Sequence, residues 1–164
     1  MPGSRPSSRP LVAGPAAVTA YNAVVASTDR DAVVAALEAF FVNPPAGTAA
    51  VYLFGSVARA ESTPGSDVDV AILFEQDPPR TLQGLHLGLA DALQRTLARR
   101  VDLVILNHAP ADLGHRVLRD GILLCEPNRS ARIRFEIRLR NEYFDLEPIR
   151  TLYRRAAARG AATR

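Results

Sequence analysis

The sequence predicts a single α/β domain built on a mixed sheet flanked by helices. Four short apolar runs of strand length alternate with longer segments of helical spacing, in the order helix–strand–strand–helix–strand–helix–strand–helix. The link between the first two strands is too short for a crossover containing a full helix, so we expect that pair to be antiparallel. With 164 residues and 48% hydrophobic content, the chain is long enough for one domain with a substantial core.

The N-terminal segment, residues 1–20, is rich in Pro, Ser, Gly and Ala and is predicted to be disordered. The folded domain is predicted over residues 21–160. Its first helix is expected over residues 30–42, because Val33 and Leu37 recur at the spacing of one helical face and a pair of prolines follows.

The remaining elements follow from apolar pattern and from the placement of Pro and Gly. Strands are predicted over residues 49–54, 67–74, 101–106 and 122–125. Three further helices are predicted over residues 81–98, between Pro110 and Gly121, and from about Asn128 to Gly160 with a bend near Pro148.

Two carboxylates stand at the start of the second predicted strand. Asp67 and Asp69 are two residues apart, and side chains of a strand alternate between its faces. Both carboxylates therefore leave the same face of the sheet, where they repel each other unless a positive charge lies between them. Hard oxygen donors of this kind favour Mg²⁺, which uses one or two protein carboxylates and completes its shell with water and phosphate oxygens.

A Gly-Ser pair directly follows the first predicted strand. Gly55 permits backbone angles that other residues avoid and allows a phosphate to approach the main chain. Ser56 offers a hydroxyl and is expected to cap a short helix over residues 57–59, whose free N–H groups would face an anion. Arg59 could add a phosphate contact, and Ser66 is a further candidate at the nucleotide, from the loop before the acidic strand.

A third acid, Asp102, lies near the start of the third predicted strand. An Asp inside such an apolar run is expected to be at an edge, paired or functional. Three carboxylates from two strands can share two metal ions, one on a triphosphate and one on the attacking oxygen. The pattern from Gly55 to Asp102 therefore indicates nucleotidyl transfer from a nucleoside triphosphate.

The stretch from Phe54-Gly55-Ser56 through Asp67-Val68-Asp69, with Val101-Asp102-Leu103 downstream, resembles the polymerase-beta-type nucleotidyltransferase superfamily. The small size is similar to its minimal branch, the MNT proteins. The later segments at residues 117–124 and 143–145 are similar to the MNT antitoxins that are paired with HEPN toxins. The position after Arg59, where many relatives have Gly, is Ala60.

The resemblance implies specific roles for the residues that match. Gly55 and Ser56 would bind the triphosphate of ATP, and Asp67, Asp69 and Asp102 would bind Mg²⁺, with two ion sites expected. The resemblance also implies transfer of AMP to a tyrosine of a cognate HEPN ribonuclease, which would silence that toxin. A hetero-oligomer with the toxin is the expected assembly.

Composition excludes several other classes. The chain contains no lysine, which excludes a lysine nucleophile and a P-loop lysine, and no apolar run approaches a membrane span. The single Cys125 cannot form an internal disulfide, which together with the absence of a leader pattern favours a cytoplasmic protein. Residues 129–164 hold ten Arg against four acids, so this basic end could bind an acidic partner or RNA; without interleaved exposed aromatics, RNA is not expected.

Two alternatives to protein AMP transfer remain open at this point. The fold could neutralise a toxin by occlusion alone, as a binding module with a vestigial nucleotide site. It could also transfer a nucleotide to a small molecule such as an aminoglycoside, although that activity usually calls for a second domain to hold the acceptor.

Overall fold

A computed structural model of the protein describes the backbone of residues 15–63, 65–79 and 87–161, and the side chains of residues 25, 27–63, 65–79 and 87–145 among them. The strands are β1 (Thr48–Phe54), β2 (Val68–Phe74), β3 (Val101–Ile105) and β4 (Ile122–Cys125). The helices are α1 (Pro15–Phe40), α2 (Gly55–Ala58), α3 (Leu87–Leu97), α4 (Ala111–Asp120) and α5 (Arg129–Ala161), with a 3₁₀ turn at Leu106–His108. No described helix combines the length and the apolar character that crossing a membrane requires.

The four strands form one mixed sheet in the order β3-β2-β1-β4. β1 is antiparallel to both β2 and β4, whereas β2 and β3 are parallel and are joined across the segment that contains α3. The predicted α/β class and the antiparallel first pair are therefore confirmed. The central position of β1 explains why all seven of its residues are buried.

The two faces of the sheet bury different sets of side chains, because neighbouring residues of a strand point to opposite faces. The first face is covered by α1 and α3, and its core consists of Val33, Leu37, Phe41, Val51, Leu53, Val57, Ala58, Val68, Val70, Ile72, Phe74, Leu93, Ile105 and Leu124. The second face is covered by α4 and α5, and its core consists of Ala49, Ala50, Tyr52, Phe54, Ala71, Leu73, Leu106, Ala111, Val117, Ala131, Phe135 and Leu139.

Helix α5 is fixed to the second face by polar contacts as well as by packing. The Asn128 side chain accepts a hydrogen bond from the Ala131 N–H at 3.0 Å and so caps the start of the helix. Further along, the Tyr52 hydroxyl donates to Glu136 at 3.1 Å, and Arg132 donates to the same carboxylate. These bonds satisfy a buried hydroxyl of the central strand and hold α5 in register over the sheet.

The helix boundaries differ from the sequence expectations more than the strand boundaries do. Helix α1 begins at Pro15 instead of near residue 30, so residues 15–20 of the segment predicted to be disordered are helical; residues 1–14 lie outside the described part. Of the helix predicted over 81–98, residues 81–86 also lie outside it. Helix α5 runs through Pro148 without interruption.

Candidate functional site

The predicted acidic residues meet at one end of the sheet through the pairing of three strands. In the register of the sheet, Asp69 of β2 lies opposite Phe54 of β1 on one side and Asp102 of β3 on the other. Asp67 immediately precedes β2, two residues from Asp69, so its side chain leaves the same face. That face is the one covered further along by α4 and α5, because Ala71 belongs to the second core.

Gly55 is in direct contact with this acidic group. Its φ is +75°, a conformation that residues with a side chain rarely adopt. A Cβ built on Gly55 would lie 1.8 Å from Asp69 Oδ2 and 2.7 Å from its Cγ. No side chain fits there, so the turn lies with its main chain against the Asp69 carboxylate. The expected approach of a phosphate to this main chain stays a prediction.

Ser56 lies inside the short helix and does not cap it. Helix α2 begins at Gly55, its N-cap is Phe54, and no side-chain hydrogen bond caps it. The expected capping role of Ser56 is therefore wrong, because the strand runs directly into the helix without an intervening turn residue. The Ser56 carbonyl instead accepts a hydrogen bond from the Glu61 N–H at 2.9 Å and closes the following turn.

Arg59 is paired with a neighbour rather than with the acids. Its Nε donates to Glu61 Oε2 at 2.7 Å, and 38% of the side chain is exposed. Such a solvent-exposed pair is weak and is easily exchanged for a phosphate. The following residue, Ala60, has a φ of +55°, the left-handed region that favours Gly.

The fold disfavours the charged form of Asp69. Its burial, then the neighbouring carboxylates of Asp102 and Asp67, raise its pKa above the ordinary value. The guanidinium groups of Arg59 and Arg116 act in the opposite direction. The three acids thus share one electrostatic environment, and a cation placed among them would relieve their repulsion.

The carboxylates suit a divalent cation by donor type more than by their present arrangement. Asp67 is exposed and forms a loose ion pair with Arg100 at 3.7 Å. Across the described part of the chain, no three or more His, Cys, Asp or Glu residues are gathered closely enough to form a ready ion site. Because Mg²⁺ needs only one or two protein carboxylates besides phosphate and water, these acids still fit the ion.

Ser66 is engaged within its own loop. Its hydroxyl accepts a hydrogen bond from the Thr63 N–H at 2.9 Å and contacts the Thr63 hydroxyl at 3.1 Å. Its carbonyl accepts a hydrogen bond from Arg99 at 2.7 Å, and Arg99 also pairs with Asp29 at 2.8 Å. In this arrangement Ser66 anchors the loop before β2, and its contact with a nucleotide stays a prediction.

Helix α4 brings two charged residues to the site that the sequence analysis did not single out. The positive charge of Arg116 favours the ionised forms of both Asp69 and Asp120. The pKa of Asp120 is lowered first by its hydrogen bond with Arg119, and the charges of Arg59 and Arg116 act in the same direction. The available signal was the polar side of an amphipathic helix whose buried side includes Val117. Such a pattern predicts a polar side of the helix. It does not predict that this side approaches the acidic residues, because that depends on how α4 crosses the sheet.

A family model described as "Polymerase beta, Nucleotidyltransferase" matches residues 39–130, which contain β1, β2, β3 and all three acids. No curated protein gives a significant match.

Similar solved structures are toxin–antitoxin complexes. A toxin–antitoxin crystal structure with AMP-PNP matches with a TM-score of 0.65 and 23% identity, covering 76% of this chain and 98% of the other. A mutant of the MntA-HpeT toxin–antitoxin complex matches at 0.58 with 27% identity, over 71% and 89%. A complex of tri-AMPylated Shewanella oneidensis HEPN toxin with MNT antitoxin matches at 0.57 with 23% identity, over 81% and 98%.

Proposed function

Because this chain belongs to the polymerase beta nucleotidyltransferase family, we propose that it transfers AMP from ATP to a tyrosine of a HEPN-type toxin. In this role it would act in the cytoplasm as the antitoxin of the pair. The family resemblance predicted from the Gly-Ser turn and the paired acids is confirmed by the family match. The acceptor, the nucleotide and the ion dependence are the parts that we propose.

One observation carries the proposal, namely the meeting of Asp69 with Asp102 and with the Gly55 turn at the end of the sheet. The register aligns the two acids on neighbouring parallel strands, and the missing Cβ of Gly55 leaves room for the Asp69 carboxylate. A turn with a bare main chain beside acidic ligands is what a triphosphate with its divalent cation requires.

The proposed reaction is an in-line displacement at the α-phosphorus of ATP. The tyrosine oxygen forms a bond to that phosphorus while the bond to the β-phosphate oxygen breaks, and pyrophosphate leaves. Asp102, on the outer strand of the acidic group, is our candidate to accept the proton of the attacking hydroxyl. Bound Mg²⁺ would neutralise the triphosphate and make the hydroxyl more acidic, and Asp67 and Asp69 are its proposed ligands together with Asp102.

The Gly55-Ser56 turn and two nearby arginines would bind the phosphates of the nucleotide. The Gly55-Ser56 turn offers N–H groups and a hydroxyl to the departing pyrophosphate. Arg59 can exchange its exposed pairing with Glu61 for a phosphate oxygen. Arg116 approaches from α4 and makes no ion pair with any described side chain, so its charge is available to the same anion.

The proposed partner is suggested by the similar structures. One of them holds an AMPylated HEPN toxin with an MNT antitoxin, and another holds AMP-PNP. Both complexes are 23% identical in sequence to this chain. We propose toxin binding and AMP transfer for this chain on that likeness together with the geometry of its own site.

The test combines the purified chain, ATP, Mg²⁺ and the small helical protein expected to be encoded beside it. We expect the partner to gain the mass of one or more AMP groups on tyrosine, as measured by intact-protein and peptide mass spectrometry. The double variant Asp67→Asn/Asp69→Asn should abolish this gain, whereas Asp91→Asn, an exposed acid on α3, should leave it unchanged.

Survival of transfer in the double variant would refute the assignment of the ion ligands. Full protection of toxin-expressing cells by the same variant would favour neutralisation by occlusion instead. Omission of Mg²⁺ with a chelator provides an independent check, because it removes the cation without altering any side chain.

A further inference from the structure

Helix α5 carries an apolar stripe that the fold leaves uncovered. Ile133, Ile137 and Phe144 are 39%, 57% and 61% exposed. Their spacing of four and seven residues brings them within about 40° of one another around the helix, over a length of roughly 16 Å. Arg140 lies on the same line between Ile137 and Phe144. We call these four residues the α5 stripe.

The stripe ends in a cavity between α4 and α5. The cavity has a volume of about 270 Å³ and is lined by His115, Leu118, Arg119, Leu139, Arg140 and Phe144. The His115 ring stacks on Tyr143 with centroids 3.8 Å apart, and Phe144 meets both rings edge to face at 6.3 and 5.6 Å. This packing fixes the wall of the cavity, and a preformed aromatic wall lowers the entropy cost of binding.

The cavity and the proposed transfer site both involve residues of α4. Arg116 and Asp120 lie on the flank of α4 that interacts electrostatically with Asp69 and Arg59. His115 and Arg119 lie on the neighbouring flank, which faces α5. The α5 helix and the acids also share one face of the sheet. A partner seated on the stripe would therefore reach the transfer site across one helix width.

The chemistry of the surface selects the kind of partner. Among residues 129–145 of α5, whose side chains the structure describes, five Arg stand against three acids, and Arg140 forms no ion pair with any described side chain. Arg119 also lines the cavity, but its guanidinium is already paired with Asp120 at 2.7 Å, so Arg140 is the cation that the stripe offers to a partner. Phe144 is exposed, so the expectation that this end of the chain lacks exposed aromatics is wrong. The stripe nevertheless holds one aromatic against two aliphatic side chains, a composition that suits a protein helix better than nucleic acid, whose binding relies on cations with several stacking aromatics.

We propose that the α5 stripe and its cavity dock an acidic amphipathic helix of the acceptor protein. An apolar side chain of that helix fills the cavity beside Phe144, and a carboxylate pairs with Arg140. The inference rests on the proposed function only in identifying the docked protein as the AMP acceptor. Docking orients the acceptor so that its tyrosine reaches the acids on the other flank of α4.

The test measures binding and transfer separately, using the same purified partner. Binding is measured by calorimetry without ATP for the wild type, Ile137→Ala/Phe144→Ala and Arg140→Glu. We expect at least a tenfold weaker affinity for each variant, since buried apolar anchors dominate such interfaces. The matched controls are Val42→Ala, which is 73% exposed in the turn after α1, and Arg95→Glu on α3; both should bind as the wild type does.

Each outcome decides a different question. Wild-type affinity in both stripe variants, or no binding by the wild type, overturns the docking proposal. Weakened binding with unchanged melting temperature and unchanged ATP binding supports it, even if no AMP is transferred, in which case the proposed function alone fails. Self-association of the chain that the stripe variants abolish, or competition by single-stranded RNA for the same surface, would also overturn it.

Discussion

The two faces of the sheet differ in what they contribute to this protein. On the α1/α3 face, β2 presents Val68, Val70, Ile72 and Phe74 in an unbroken apolar row. On the α4/α5 face, the same strand presents Asp69, then Ala71 and Leu73. One strand therefore serves both as the core of the fold and as the support of the site, because alternate residues point in opposite directions.

The contrast extends to side-chain size and polarity. On the α4/α5 face the strands contribute three small residues, Ala49, Ala50 and Ala71. The same face accommodates the buried hydroxyl of Tyr52. Its helices approach closely, since a Cβ on Gly114 of α4 would lie 2.7 Å from Leu139 of α5. The α1/α3 face stabilises the fold through large buried apolar side chains. The α4/α5 face has smaller side chains, buried polar groups and the acidic site at its end.

The largest expected difference in stability is between a variant that removes apolar volume from the α1/α3 face and one that removes a charge from the α4/α5 face. Ile72→Ala should lower the free energy of unfolding by about 2–5 kcal/mol, because Ile72 is fully buried. Asp69→Asn should instead raise the melting temperature at pH 7. The raised pKa of Asp69 means that its ionised form opposes folding above about pH 4, and the neutral amide removes that repulsion.

Chemical denaturation and AMP transfer assays on Ile72→Ala and Asp69→Asn test these two expectations. Asp69→Asn should lose transfer by at least about a thousandfold, or ~4 kcal/mol, despite its higher stability. Ile72→Ala should retain ATP binding well below its melting temperature. A destabilised Asp69→Asn would mean that the carboxylate supports the fold and that the contrast between the faces is wrong.

The next expected effect separates backbone strain from contact with the acids. Gly55 and Gly47 have nearly equal φ angles, +75° and +76°, but a Cβ meets nothing within 4 Å at Gly47 and collides with Asp69 at Gly55. Ala at either position should cost roughly 1–2 kcal/mol for the left-handed backbone. Only Gly55→Ala should also displace Asp69 and reduce transfer more than tenfold.

Thermal melts and transfer assays on the two Gly variants make the comparison direct. Wild-type activity in both variants would show that the main chain of Gly55 need not lie against the carboxylate. Equal losses of both stability and activity would mean that the strain alone disturbs the site.

A smaller effect is expected from the buried hydroxyl on the functional face. Tyr52→Phe removes the hydrogen bond to Glu136 and should cost about 1 kcal/mol at pH 7. Burial, and then the Glu136 carboxylate, raise the pKa of Tyr52 above its usual value near 10, while Arg132 opposes the shift. The hydroxyl therefore stabilises the fold fully below pH 10, and its contribution declines above that pH as the unfolded chain ionises.

Denaturation curves for the wild type and Tyr52→Phe between pH 7 and 11 test this linkage. The stability gap should be constant up to about pH 9 and should narrow at higher pH. A gap that widens with rising pH would contradict the direction of the shift.

The smallest expected effect concerns the loop after α2. Ala60 adopts a φ of +55°, so Ala60→Gly should raise the free energy of unfolding by up to about 1 kcal/mol. Transfer should stay within a few-fold of the wild type, because no ligand is removed. Loss of stability in a urea titration would show that the constraint of the Cβ on the unfolded chain outweighs the strain in the fold.

The sequence by itself determined the local properties of the chain. Apolar runs predicted all eight ends of the four strands to within one residue, and period-two alternation required Asp67 and Asp69 to share a face. A short link required β1 and β2 to be antiparallel. Helix starts were less predictable, as α1 shows, because helical propensity continues through an Ala-rich segment whose composition also suits disorder.

Only the tertiary structure decided which distant residues meet. The register that aligns Asp69 with Asp102 and sets Phe54 beside it arises from strand pairing and a helical crossover, which no local pattern specifies. The approach of Arg116 to the acids and the α4–α5 cavity depend in the same way on how two helices cross one sheet face. Local sequence determines to which face of a strand or helix each side chain points. Long-range packing determines which residues that side chain contacts.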